Sequence, residues 1–594
     1  MAENRNRKSK IVLLFLIFSF SLLILIARFL YIDITKSTNF PNLRTSEIDT
    51  ALRGSIISLD HFTLSSSKKL YKAEINTYNI DPNKKELFVK LFSIYSGMNP
   101  KRIMSKLNSH KGRVVLSYRI DSKRAFYLKE LAKKLYNLKV FREYEDKRTK
   151  IIYRSGLDIL ESGEYRDYKY KDIFTPYIGY LQKRNDNKGF TRGFGVKGVE
   201  KYYDENLKPL QNGFIYGQRD VVNNIIFNRK SKVIQRIDGG TLYLNVNLKL
   251  QKSIEHILDK LKNDLGAKEI VAAVMESNSG KILSLATTKR YNPNRIKKSD
   301  YSKLNITASE YAYEPGSVMK PITLSILLKN SKVNPYEIID VHGGRYKIKN
   351  KIIKDDHRFE KLSAEDIIVH SSNVGISILA QRLDAIDFFQ GLKDFGFSKQ
   401  SGVDLFYDKK GSIPSVLKMQ NEIYKATVAY GYGLRVTFMQ LLKAYNIFNN
   451  NGIMLKPLIA SYILFNNKSY PIVNDEQKRV LSQKTASQIK DILIKTVNEG
   501  TGKRAKTEGL QIGGKTGTAH IASFGVYKES YNSSFFGFAN DKERKYTIGV
   551  FVKEPKIENY TYFASKSAVV VFKSIVDEML EQKLLISEPR PKSR

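Results

Sequence analysis

The stretch Glu314-Pro315-Gly316-Ser317-Val318-Met319-Lys320-Pro321-Ile322-Thr323-Leu324-Ser325-Ile326-Leu327-Leu328 decides how the chain is read. Glu314-Pro315-Gly316 is turn chemistry, and the apolar run 321–328 continues it as a helix, so Ser317 lies at a helix start. Three-residue spacing there stacks side chains on one face, which brings the Ser317 hydroxyl within hydrogen-bonding reach of the Lys320 amine. A nucleophile then sits beside a base. Pro321 is tolerated because, so near the helix start, its missing N–H has no intrahelical partner to lose. The same Ser-x-x-Lys spacing recurs at Ser65/Lys68, Ser66/Lys69, Ser415/Lys418 and Ser487/Lys490, and what sets Ser317 apart is this context.

A lysine protonated at neutral pH is no base, so Lys320 needs burial, a helix N-terminus or a cationic neighbour to depress its pKa. Lys515 is the candidate neighbour, and it belongs to one of two further motifs. Ser371-Ser372-Asn373 lies between the helical stretches 364–370 and 374–380. There Ser371 suits a proton relay between the lysine and a leaving amine, and Asn373 offers both amide functions to a peptide backbone. Lys515-Thr516-Gly517-Thr518, introduced by Gly513-Gly514, reads as a strand edge. Gly517 would leave the backbone open to a substrate, and Lys515 with the Thr516 and Thr518 hydroxyls would bind a terminal carboxylate. Each motif alone is more often a solvated helix face, a cap or a loop. In this order and in these settings, the three describe an acylating serine site.

The set is that of penicillin-binding proteins and class A β-lactamases, and further segments extend the likeness. They are Gly198-Val199-Glu200 with Tyr203 and Leu207, Leu250-Gln251 after Asn245-Val246-Asn247, residues 279–286, Tyr291-Asn292-Pro293, Ala429-Tyr430-Gly431-Tyr432-Gly433, Asn450-Asn451-Gly452 and Glu499-Gly500-Thr501-Gly502. Over nearly its whole length the chain resembles class B penicillin-binding proteins. The resemblance implies a monofunctional peptidoglycan D,D-transpeptidase with an α+β fold, a mainly antiparallel sheet flanked by helices. It makes Ser317 the nucleophile, Lys320 the base, and Ser371 and Asn373 their partners; Lys515, Thr516, Gly517 and Thr518 take the substrate side. The backbone N–H groups of Ser317 and Thr518 would form the oxyanion hole. Ser317 would acylate on the penultimate D-Ala of one stem peptide, and an amine of a second stem would resolve the acyl-enzyme into a cross-link. No metal or cofactor is implied. The implied partners are stem peptides ending in D-Ala-D-Ala, β-lactams as inhibitors, a polytopic membrane glycosyltransferase and the divisome proteins. Glu-Pro-Gly before Ser317, Asn at 373 and Thr at 516 resemble the septal division type, with the elongation type as the alternative. Two departures stand out: Leu59-Asp60-His61-Phe62 replaces the Asp-Arg-Asn-Gly expected after Arg53-Gly54-Ser55-Ile56, and 563–568 lacks the family's Gly-Gly and Pro.

The remaining sequence fits an exported enzyme. Residues 11–32 are apolar enough for a transmembrane anchor, and Arg5, Arg7, Lys8 and Lys10 precede them, which predicts a cytoplasmic tail over 1–10 and export of everything after the anchor. No small-x-small cleavage site follows the apolar run. Composition divides the exported part into an irregular α+β pedestal, 33–238, and a transpeptidase domain, 239–584, with a disordered tail over 585–594. The net charge of +41 comes from lysines spread along the chain, with no nucleic-acid motif, so nucleic-acid binding is not expected. There is no cysteine, which excludes disulfides and thiol chemistry, and the seven histidines lack metal-ligand spacing. A β-lactamase, a D,D-carboxypeptidase and a non-catalytic divisome scaffold or β-lactam sensor are the competing readings.

Overall fold

The structure, a computed structural model, describes residues 2–36, 44–145, 152–153, 156–185, 191–219, 225–523 and 526–588. Helix α1, Ala2–Lys36, carries the apolar segment. Within it Ser9–Ile34 has a mean hydropathy of 2.8 and buries nothing against the protein. Its 26 residues reach about 39 Å at the α-helical rise, enough for a hydrocarbon core of about 30 Å. By length and composition it is a candidate membrane span.

The core that positions the three motifs is an antiparallel sheet. Its strands in chain order are β1 (Glu269–Glu276), β2 (Ile282–Thr287), β3 (Gln511–Ser523), β4 (Val526–Asn540) and β5 (Lys545–Lys553), and their spatial order is β2-β1-β5-β4-β3. Strand β1 reads as continuous apolar sequence because both its faces are covered. Ile270, Ala272 and Val274 pack under the helices α2 (Leu248–Leu265) and α7 (Ala568–Glu581). Val271, Ala273 and Met275 face the opposite layer, which holds α3 (Lys320–Lys329), α4 (Asn373–Ala380), α5 (Phe438–Asn449) and α6 (Gln483–Asn498). Alternation along one strand thus feeds two cores. Every residue of α5 is buried, polar ones included. Asn446 donates to Ser277 O at 3.1 Å and accepts from Thr547 at 2.8 Å, so burial leaves its amide paired.

The pedestal is more regular than its sequence suggests. Three helices, Lys85–Ser96, Pro100–Ser109 and Ser122–Asn137, bury Phe88, Phe92, Ile103, Leu128 and Leu135 against the sheet residues Ile75 and Leu116. A nine-stranded sheet runs from Leu181–Asn185 through the long strands Leu157–Tyr168 and Thr63–Asn76 to Ile56–Ile57. It then continues into Thr241–Leu244 and Ala460–Phe465, which lie on the far side of the expected boundary at 238/239. The two regions therefore share a sheet.

Side chains reinforce that junction. Arg53 and Glu200, from two of the segments quoted above, form a fully buried ion pair at 2.9 Å. Arg166 reaches the other Glu200 oxygen at 2.8 Å, and Arg53 also holds Asp204 at 2.6 Å. Gly54 is obligatory beside them, since a Cβ there would lie 1.9 Å from Gly240 O. Asp60, in the segment that departs from the family pattern, accepts the N–H groups of Leu248 and Lys249 at 2.9 and 3.2 Å. Its carboxylate caps the positive end of α2 and ties the pedestal to the catalytic core. The first residues of the expected tail, 585–588, pack on the catalytic core. Leu585 is buried, Ile586 donates to Asp541 at 3.0 Å and Glu588 to Gly509 O at 3.1 Å, while 589–594 lie outside the described residues.

Candidate active site

Ser317 stands on a 3₁₀ turn, Gly316–Met319, that leads directly into α3 at Lys320. A 3₁₀ turn eclipses residues three apart, so the sequence spacing puts Ser317 and Lys320 on one face by a tighter route than an α-turn. The turn is clamped from behind. Gly316 donates to Gly431 O at 3.0 Å, a Cβ on Gly431 would lie 2.0 Å from Gly316 O, and Tyr445 donates to Val318 O at 2.7 Å. The segment 429–433 thereby backs the nucleophile.

Lys320 is fully buried, yet its amine is held by Ser371 rather than by Ser317. Nζ donates to the Ser371 carbonyl and lies 3.1 Å from Ser371 Oγ. Among the described residues Ser317 Oγ makes no hydrogen bond, and its residue is half-exposed, free to turn toward a ligand. Burial lowers the Lys320 pKa to about 7, against a smaller opposing pull from Asp355 and Asp356. Lys515, also fully buried, donates to Ser371 Oγ at 2.9 Å and to Thr516 Oγ1 at 3.2 Å. Burial first, and Lys320 second, hold its pKa well below the ordinary value. One hydroxyl, Ser371 Oγ, is therefore shared by two desolvated amines. It can pass a proton between them or from either to a third group.

Ser371 reaches this position because its backbone is left-handed, φ +61°, at the turn between the helices Ala364–Val369 and α4. Asp355 holds the turn. Its carboxylate accepts from Ser372 Oγ at 2.5 Å, from Asn373 N at 2.5 Å and from Val374 N at 3.0 Å. Asn373 in turn donates its amide N–H to Lys354 O at 3.0 Å. Sequence reading passed over Asp355. The available signal was an acidic residue after the 345–354 alternation, but nothing local tied it to a motif downstream.

The third motif lies on β3, the outer strand of the sheet, as its sequence predicts. Gly517 has a different reason from the one the sequence suggests. A Cβ there would come within 2.9 Å of Val318 and 3.0 Å of Pro315 O, so the glycine admits the Ser317 turn to the strand. Thr516 Oγ1 is bonded to Thr501 at 2.8 Å, which explains the segment 499–502. Thr518 Oγ1 accepts the Ala564 N–H at 3.2 Å and keeps its own proton to donate. Segment 563–568 thus docks on the motif without the Gly-Gly and Pro.

An antiparallel sheet whose edge strand faces a serine turn and two buried lysines is the arrangement of a serine acyltransferase. Residues 270–577 match the family model of the penicillin binding protein transpeptidase domain, and 48–244 match that of the penicillin-binding protein dimerisation domain. The chain belongs to the penicillin binding protein transpeptidase family. It is 27% identical to the peptidoglycan D,D-transpeptidase FtsI of Buchnera aphidicola, over 98% of this chain and 96% of that one. The fold is similar to penicillin binding protein 2X from Streptococcus thermophilus, with a TM-score of 0.73 and 20% identity over 92% of this chain and 83% of that one. It is also similar to a mycobacterial penicillin binding protein 3 complexed with ampicillin, with a TM-score of 0.65 and 19% identity over 92% and 98% of the two chains.

Proposed function

We propose that this protein is a peptidoglycan D,D-transpeptidase that cross-links stem peptides through an acyl-enzyme on Ser317, works at the division septum and is acylated by β-lactams. The observation that carries the reading is the convergence of Lys320 and Lys515 on Ser371 Oγ beside the Ser317 turn.

Lys320, neutral near pH 7 because it is buried, takes the Ser317 proton as Oγ attacks the penultimate D-Ala carbonyl. The new C–O bond forms as the carbonyl oxygen becomes an oxyanion facing the Ser317 and Thr518 N–H groups. The proton then passes through Ser371 Oγ to the leaving amine, the C–N bond breaks and the last D-Ala departs. An amine of a second stem attacks the ester, returns its proton by the same route and regenerates Ser317. Lys515, with Thr516 and Thr518, holds the donor's terminal carboxylate, whose charge restores the protonated form of the lysine. Asn373 orients the peptide backbone, and Gly517 lets the Ser317 turn sit against the edge strand. The anchor is set with its N-terminus in the cytoplasm and the catalytic domain outside the membrane. A polytopic glycosyltransferase supplies the nascent glycan strands, with the pedestal and anchor as the contact.

The test is a cross-linking assay on the full chain with two stem peptides, one bearing D-Ala-D-Ala. Dimer formation that stops in Ser317→Ala is expected, and release of D-Ala without dimer would make it a carboxypeptidase. Cells depleted of the protein should grow as filaments; rounding would move the role to the side wall.

A further inference from the structure

Between the first two motifs the chain forms a hairpin, Arg345–Ile348 paired with Lys351–Lys354. Its register divides it into two faces. Ile348 and Ile353 are buried toward the helical layer. On the opposite face Arg345 stands directly across from Lys354, and Lys347 from Ile352, which is 50% exposed. Like charges directly opposite each other oppose strand pairing, so this face carries a cost that its fold does not need. Arg345, Lys347 and Lys354 are all exposed, and none has a side-chain hydrogen bond or ion pair among the described residues. The acids of the same stretch do not pair with them: Asp355 is engaged by Ser372 and Asn373, and Asp356 and Glu360 make no ion pair among the described residues. The tight turn puts Lys349 at φ +51°, a position that glycine or asparagine fills at lower cost.

The hairpin is fastened to the second motif, through Lys354 O to Asn373 and through Asp355 to the Ser371 turn. It therefore flanks the wall of the site opposite β3. The carboxylate pocket of Lys515 serves the donor, and its ligand leaves with the last D-Ala. The incoming strand needs a separate handle, and stem peptides carry carboxylates that suit a cationic face. We propose that Arg345, Lys347 and Lys354 bind the carboxylates of the acceptor stem peptide and steer its amine toward the acyl-enzyme. This rests on the transpeptidase reading above. Such a surface raises acceptor affinity and on-rate rather than the chemical step, and it weakens with salt.

The test compares the full chain with R345Q/K347Q/K354Q, and with K101Q/K123Q, which removes exposed cations from the pedestal. The readouts are penicillin acylation, acceptor KM and kcat with a D-Ala-D-Ala donor, and the Kd of a fluorescent stem peptide measured without turnover. For an acceptor with free carboxylates, the hairpin variant should raise KM and Kd about tenfold, the scale of a few exposed ion pairs. Its kcat and penicillin acylation should stay within about twofold of wild type, and K101Q/K123Q should behave as wild type. An acceptor with amidated carboxylates should bind both proteins alike. Unchanged KM and Kd for the free-carboxylate acceptor would overturn the proposal. Absence of acylation in wild type would instead remove the transpeptidase reading, and the Kd comparison would still decide what the hairpin binds.

Discussion

Burial, rather than the neighbouring cation, is the main cause of the low pKa of Lys320. The sequence offered three causes for that depression, and only folding could choose among them. Because the neutral amine is the working form, β-lactam acylation should rise with pH through a midpoint near 7 and level off above it. Asp355 raises that pKa, so Asp355→Asn should move the midpoint acidward. The same change turns one of the two acceptor oxygens into an NH2 donor, so either the Ser372 bond or the Asn373 and Val374 bonds are lost, and acylation at pH 8 should fall by about tenfold or more. A pH–rate profile of the variant checks both effects, and a midpoint moved alkaline would contradict the electrostatic assignment. The three motifs were visible in sequence because each is a short local pattern, although the role of Gly517 was not. Asp355 was not, because its role exists only once the hairpin meets the turn after residue 370.

At the level of elements, the catalytic sheet and its helices were legible where periodicity was strong. The edge strand around Lys515 and the helix after Lys320 are as expected, whereas the 14-residue strand Thr63–Asn76 went unseen. Its Ser65-Ser66-Ser67-Lys68-Lys69 run is polar on both faces, since neighbouring strands and ion pairs rather than apolar packing hold it: Lys69 bridges Asp49 and Glu161, both at 2.5 Å. The Arg53–Glu200 pair was visible only as two separate family segments, because sequence does not say that they meet. Removing Glu200 takes the carboxylate from buried Arg166 and leaves Arg53 with Asp204 alone. Glu200→Ala should therefore destabilise the pedestal by about 3–5 kcal/mol, measured as a lowered first transition in urea or heat. The pair lies far along the chain from Ser317, so acylation by penicillin should survive at temperatures below that transition.

On the scale of the whole molecule, the shared sheet and the Asp60 cap make pedestal and catalytic core a continuous body behind one apolar helix. Composition placed the boundary at 238/239, just ahead of the Thr241–Leu244 strand that joins the pedestal sheet. A long-range parallel pairing leaves no local trace in sequence. The high positive charge likewise acquires meaning only from placement, as on the hairpin beside the second motif. The central claim is that Ser317 forms the acyl-enzyme with Lys320 as its base. Its most direct test is labelling of the full-length protein in membranes by a fluorescent penicillin, with mass spectrometry of the labelled peptide. The account predicts a single adduct on Ser317, absent in Ser317→Ala and lost or strongly slowed in Lys320→Ala. An adduct on another residue, or equal labelling of wild type and Ser317→Ala, would contradict it.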